Sequence, residues 1–227
     1  MNFFLLYFDE LKGFYKSKVM LILWLGLPII TIITRIINLL IAPSAPPELF
    51  SVTFLTGTII SAIGGALSAV MLSTSITSEK NKHIYDLFLI RPVKRQSIIL
   101  SKYFAVITCL FIAIVISYTI GIVIDIFTIA LPTLADLIET LESILVNLVL
   151  MSAFCSIGII FGISLENVAA SAILSLYIGE LISTIPMIIY SITRERLIRF
   201  LISTSLGIGM TIAFLVISIL VFNKKEL

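Results

Sequence analysis

Residues 49–78 contain no charged side chain, and neither do residues 103–124. These apolar runs flank the longest polar interval of the chain, residues 79–102, EKNKHIYDLFLIRPVKRQSIILSK. A run of about 20 apolar residues crosses the hydrocarbon core of a bilayer as a helix. Continuous apolarity, without alternation, predicts helices and argues against transmembrane strands. On this pattern six spans are expected, at about 19–41, 52–77, 103–126, 143–163, 168–189 and 203–222. Residues 42–47, APSAPP, are a rigid non-helical cap that closes the first span. Residues 127–142, with Pro132, Asp136, Glu139 and Glu142, form a polar connection, whereas only residues 164–167, SLEN, separate the fourth and fifth spans. Pro186 is expected to kink or end the fifth span. Residues 190–202, YSITRERLIRFLI, are too polar to span and predict a short helix at the outer surface.

Near the N-terminus, residues 2–17 place Phe4, Tyr7, Phe8, Leu11, Phe14 and Tyr15 along one helical face and Asp9, Glu10, Lys12 and Lys16 on the other. That pattern predicts a helix lying in the membrane interface, with its aromatic side in lipid and its polar side in water. Asp9 and Glu10 interrupt the apolar stretch, so a cleavable signal is not expected. Two small-residue stripes recur every four residues: Gly57, Ser61, Gly65 and Ala69 in the second span, and Ser171, Ser175, Gly179 and Ser183 in the fifth. Such stripes let helices approach closely in lipid. The first is expected to pack against another helix or a second copy of the chain.

Composition agrees with this picture. Of the 227 residues 59% are hydrophobic and 12% charged, about half the charged share usual in soluble domains. The fold class is therefore an all-α integral membrane protein, a single transmembrane domain over residues 1–227. The distribution of charge sets the expected orientation. With both termini and the polar interval on the cytoplasmic side, eleven of the fifteen Lys and Arg residues lie inside. Arg35, Arg194, Arg196 and Arg199 are left outside, and the bias predicts N-in, C-in. The cluster at 194–199 is discordant and is read as an interfacial anchor helped by Glu195.

Several kinds of chemistry find no support. No GxxxxGK[ST] phosphate loop occurs, so the chain is not expected to hold ATP or to be an enzyme by itself. His83 is the single histidine and has no Cys neighbour, which argues against a metal. Cys109 and Cys155 lie in apolar runs and read as small buried hydrophobes. No nucleic-acid partner is expected of so short a basic stretch. Three charged residues stand inside the apolar runs: Arg35 near the outer end of the first span, Asp125 at the end of the third, and Glu180 near the middle of the fifth. Arg35 is expected to snorkel to the headgroups. A mid-bilayer carboxylate costs about 2.5–3.5 kcal/mol on insertion scales, so Glu180 should face protein or water. It is expected to line a translocation path or dimer seam with Asp125 and Arg35, pairing with Arg35, or else to bond neighbouring hydroxyls.

In residues 79–102, Glu79, Lys80, Asp86, Phe88, Leu89, Pro92, Val93, Arg95, Ile98, Ile99 and Lys102 fall without a gap on a recurrent pattern. The stretch resembles the first cytoplasmic loop of membrane subunits in the type-2 ABC exporter family, with His83, Ile84 and Asn81 as departures. The resemblance implies that residues 80–90 form a coupling helix resting in a groove of a separately encoded ATP-binding subunit. Ile84, Leu87 and Phe88 would be its apolar knob, Asp86 would face the partner's rim, Glu79 would belong to the same surface, and Pro92 would stop the helix. Arg95 and Lys102 would meet lipid phosphates. The implied assembly is two permease chains, identical or related, above two ATPase subunits that hold Mg-ATP, in the cell membrane. Two alternatives remain: a non-transporting membrane sensor or immunity protein, and an ion-coupled carrier using Glu180.

Overall fold

The computed structural model describes residues 3–41, 52–82, 95–128, 133–192 and 195–224. These form seven helices: α1 (Phe3–Tyr15), α2 (Lys18–Ile41), α3 (Val52–Asn81), α4 (Arg95–Thr128), α5 (Leu134–Ser164), α6 (Val168–Ile192) and α7 (Arg196–Lys224). All but α1 contain a stretch long and apolar enough to cross a membrane. No strand occurs among the described residues.

The spans are longer than the apolar runs suggest. α4 has 34 residues, about 51 Å at 1.5 Å per residue, against a hydrocarbon core of about 30 Å. Charge ends an apolar run, but it does not end a helix that projects into the headgroups, so helix covers both flanks of the interval at 79–102. The connection at 127–142 is likewise helical from Leu134 onward. Thr133 starts α5 with a reciprocal capping box: its N–H donates to Asp136 Oδ2 at 2.8 Å, and the Asp136 N–H donates to its Oγ1 at 3.3 Å.

α6 runs through Pro186 to Ile192, so of the kink or end expected at the proline the end is excluded. One expectation about the chain's last third is corrected. The separate outer helix at 190–202 is absent. Residues 190–192 finish α6, and residues 196–202 are the first turns of a continuous α7. No Gly or Pro interrupts that stretch, and the Arg196 guanidinium reaches back to Glu142 on α5 at 2.9 Å.

The helices divide into two packed groups. α4 carries α1 and α2, while α3 and α5 form a central pair on which α6 and α7 pack. Both small-residue stripes work inside the chain. Gly57, Ser61, Gly65 and Ala69 are buried, with Gly57 against Tyr118 and Asn147 and Gly65 against the Phe154 ring. α5 and α3 approach closely, so that a Cβ on Gly158 would lie 2.9 Å from the Ala69 Cα. Ser171, Ser175, Gly179 and Ser183 are also buried, and Ser175 shares a 3.1 Å hydroxyl contact with Ser73 of α3. Apolar burial drives no association between helices already in lipid, so these close contacts and hydroxyl bonds stand in its place.

Candidate functional site

A cluster of charged groups gathers near the end of α3 and the start of α4, against α1. At their centre is Lys102, on the third turn of α4, only 3% exposed. Its ammonium lies 2.8 Å from Glu79 Oε1 of α3 and 2.9 Å from the Glu10 carboxylate of α1. Ser75 donates to the same Glu79 oxygen at 2.9 Å. The Phe14 ring covers the ammonium, with its centroid at 5.7 Å. One buried cation thus ties three helices that are remote in sequence.

The position of Glu10 follows from how α1 docks. Leu6 and Phe14 are buried and Glu10 lies between them on the same line, so the supposed polar face points partly into protein. Tyr7 Oη meets Thr108 Oγ1 at 2.8 Å, and Phe3 stacks edge-on with Phe104, both on α4. Phe4, Phe8 and Tyr15 remain exposed. The aromatic stripe read from the sequence is therefore split, part holding α1 to α4 and part facing outward. Burial raises the Glu10 pKa, with Lys102 opposing the shift. The sign follows directly. A folded state that holds its proton more tightly than the unfolded chain loses stability as pH rises from about 4.5 through the raised folded value. The stability difference between the unaltered protein and Glu10→Gln, followed by thermal unfolding in detergent from pH 4 to 7, is expected to shrink across that window. A pH-independent difference would mean that Glu10 holds its proton equally in the folded and unfolded chain.

A second set of contacts fastens the end of α3 to the turn between α5 and α6. Thr77 Oγ1 donates to the Gly162 carbonyl at 3.1 Å. Lys80 Nζ donates to the carbonyls of Ile163 at 3.1 Å and Leu165 at 2.9 Å. Asn81 Nδ2 donates to the Glu166 carbonyl at 2.7 Å.

At the opposite end of the bundle, Arg35 of α2 pairs with Asp125 of α4 at 2.7 Å. Arg35 is 8% exposed, so it does not snorkel outward, and its Nε has no partner among the described residues. Around this end Tyr118 accepts from Asn147 Nδ2 at 2.7 Å, and Thr34 and Thr56 hydroxyls approach at 3.4 Å. The expected pairing of Arg35 with Glu180 is corrected. α2 packs on α3 and α4, whereas α6, which carries Glu180, packs on α3, α5 and α7. Glu180 is half-buried beside Gly179, and its carboxylate has no hydrogen-bond or ion-pair partner among the described residues.

Of the residues singled out in the sequence, Ile84, Asp86, Leu87, Phe88 and Pro92 lie outside the described residues. Glu79 stands at the end of α3 and Arg95 is the first residue of α4. Lys102, expected at lipid phosphates, has its ammonium held by two carboxylates of the chain itself. Sequence reading missed Glu10 as a partner and missed the Lys80 and Asn81 contacts. The one available signal was that Glu10 lies four residues from both Leu6 and Phe14. Cys109 and Cys155 are free and buried, and no cluster of three or more His, Cys, Asp or Glu suited to a metal occurs among the described residues.

Six apolar helices packed around buried ionic contacts define a multi-pass protein of the cell membrane. Residues 4–197 match the ABC-2 family transporter proteins, and the chain belongs to that family. It is a transmembrane permease component of an ABC transporter and not itself the catalytic part; membership implies an ABC ATP-binding subunit as its partner. No curated protein matches the chain at a significant level.

Proposed function

We propose that the chain is the permease subunit of an ATP-driven exporter of amphipathic cargo such as a drug, peptide or lipid. Two permease chains, identical or related, form the pathway, and two separately encoded ATPase subunits supply Mg-ATP. Both termini and the interval at 79–102 face the cytoplasm. Of the coupling helix expected at 80–90, Lys80 and Asn81 end α3, and the segment 83–94 is the ATPase-docking element, with Ile84, Leu87 and Phe88 as its apolar contact. Closure of the ATPase pair around nucleotide pushes on the segment and shifts the helix groups between two arrangements.

The observation that supports this reading is the Lys102 cluster. The helix ends on either side of residues 83–94 are joined through one buried ammonium, so displacement of the segment reaches α1, α3 and α4 together. Phe88→Asp is expected to abolish co-purification of the ATPase subunit and the permease-dependent part of its ATP turnover, because an ionised carboxylate in an apolar groove is desolvated without a partner. Unchanged complex and turnover would overturn the docking role, and with it the separation from a sensor or immunity protein that needs no motor.

Glu180 supports a second reading, because a half-buried carboxylate without a partner among the described residues suits either the pathway lining or an ion-coupled site. In vesicles loaded with an NBD-labelled phospholipid, the exporter reading expects movement only with Mg-ATP and the ATPase. Movement driven by a proton gradient alone, and lost in Glu180→Gln, would favour the carrier.

A further inference from the structure

The last carbonyls of an α-helix have no partner within it, and they carry the negative end of the helix dipole. At the end of α5 they are met from another helix. The Gly162, Ile163, Leu165 and Glu166 carbonyls all accept hydrogen bonds from Thr77, Lys80 and Asn81, which occupy the last turns of α3. The donors lie just before the segment at 83–94, and the acceptors are two carbonyls in the last turn of α5 and two in the short turn before α6. Asn167 completes the arrangement by accepting from the Ala169 N–H at 2.9 Å, at the start of α6. A single ammonium bridging two carbonyls on either side of the α5 terminus leaves that turn little freedom to move apart from α3.

We propose that Lys80, supported by Asn81, is a positioning residue that carries displacement of the docking segment into α5 and α6. This inference rests on the docking role given above to residues 83–94, and it adds a second route. The Lys102 cluster serves α1 and α4, and the Lys80 contacts serve α5 and α6. Lys80 touches neither nucleotide nor cargo; it acts through the backbone it holds.

The test uses the full permease–ATPase complex, with spin labels at Glu166→Cys in the turn and Asn223→Cys at the end of α7. Both side chains are exposed, while the native Cys109 and Cys155 are buried. Mg-ATP with orthovanadate is expected to shift the label-to-label distance in the otherwise unaltered chain. Lys80→Met should lose that shift while still binding the ATPase. Lys80→Arg, whose guanidinium can also donate to two carbonyls, should keep it. A role confined to stability would lower the unfolding temperature in Lys80→Met without removing the nucleotide response, and that result overturns the inference. Loss of the shift in Lys80→Arg as well as in Lys80→Met overturns it too. If the otherwise unaltered chain neither binds the ATPase nor responds to nucleotide, the exporter reading fails and takes the inference with it.

Discussion

Replacing Lys102 by methionine is expected to destabilise the protein by about 3–5 kcal/mol, the range for removing one partner of a buried ion pair. The loss is set less by the attraction removed than by what remains. Glu10 and Glu79 are left facing each other in the space vacated by the ammonium, and each has lost its only cation among the described residues. Both carboxylates must then take up protons, or the contact of α1 with α4 must open to admit water. Restoring neutrality should recover most of the loss. The triple replacement Lys102→Met, Glu10→Gln and Glu79→Gln is expected to unfold nearer the unaltered protein than Lys102→Met alone, as judged by thermal unfolding in detergent at pH 7. If the single and triple variants are equally unstable, packing of the lysine stem, and not its charge, holds the cluster.

Gly158→Leu is expected to be the most damaging substitution at a helix crossing. Ordinary overpacking of a core costs roughly 1–3 kcal/mol because neighbouring side chains shift aside. Here a Cβ would meet the backbone of Ala69, with its Cα at 2.9 Å and its carbonyl carbon at 3.1 Å. Backbone has no rotamer to change, so α5 and α3 must separate. They are the central pair on which α6 and α7 pack, and the variant should fail to accumulate in the membrane. Gly209→Leu is the matched control, because nothing lies within 4 Å of the added carbon. Equal accumulation of the two variants would show that the α3–α5 crossing tolerates separation.

Much of this architecture was legible in the sequence for a simple physical reason. A helix that must lie in lipid announces itself by 20 or so apolar residues, and a helix that must approach another closely announces itself by a stripe of small ones. Both stripes are buried as their spacing requires. The spacing could not name the partner, and the second-span stripe packs on α4 and α5 of its own chain. Helix ends were less legible because Glu79, Lys102 and Glu142 mark where apolarity stops, whereas the helices end at Asn81 and begin at Arg95 and Leu134. The ionic contacts were not legible at all. Lys102 and Glu10 are 92 residues apart, and nothing in either neighbourhood encodes the other. The same holds for Arg35 and Asp125, which each look like charges that should seek water. Lys80 bonds to backbone carbonyls, which carry no signature in the sequence.

Two of the buried ion pairs on α4 reach the N-terminal helices, Lys102 to Glu10 of α1 and Asp125 to Arg35 of α2, and Lys102 also pairs with Glu79 of α3. Twenty-three residues separate Lys102 from Asp125, a span of about 35 Å along the axis. α4 is therefore fastened to α1 near one tip and to α2 near the other, and at the α1 end to α3 as well. α3, α5, α6 and α7 make the second packed group, so the chain passes from one group to the other between α3 and α4. Lys102 thus bolts the first group to the second at that end of the bundle.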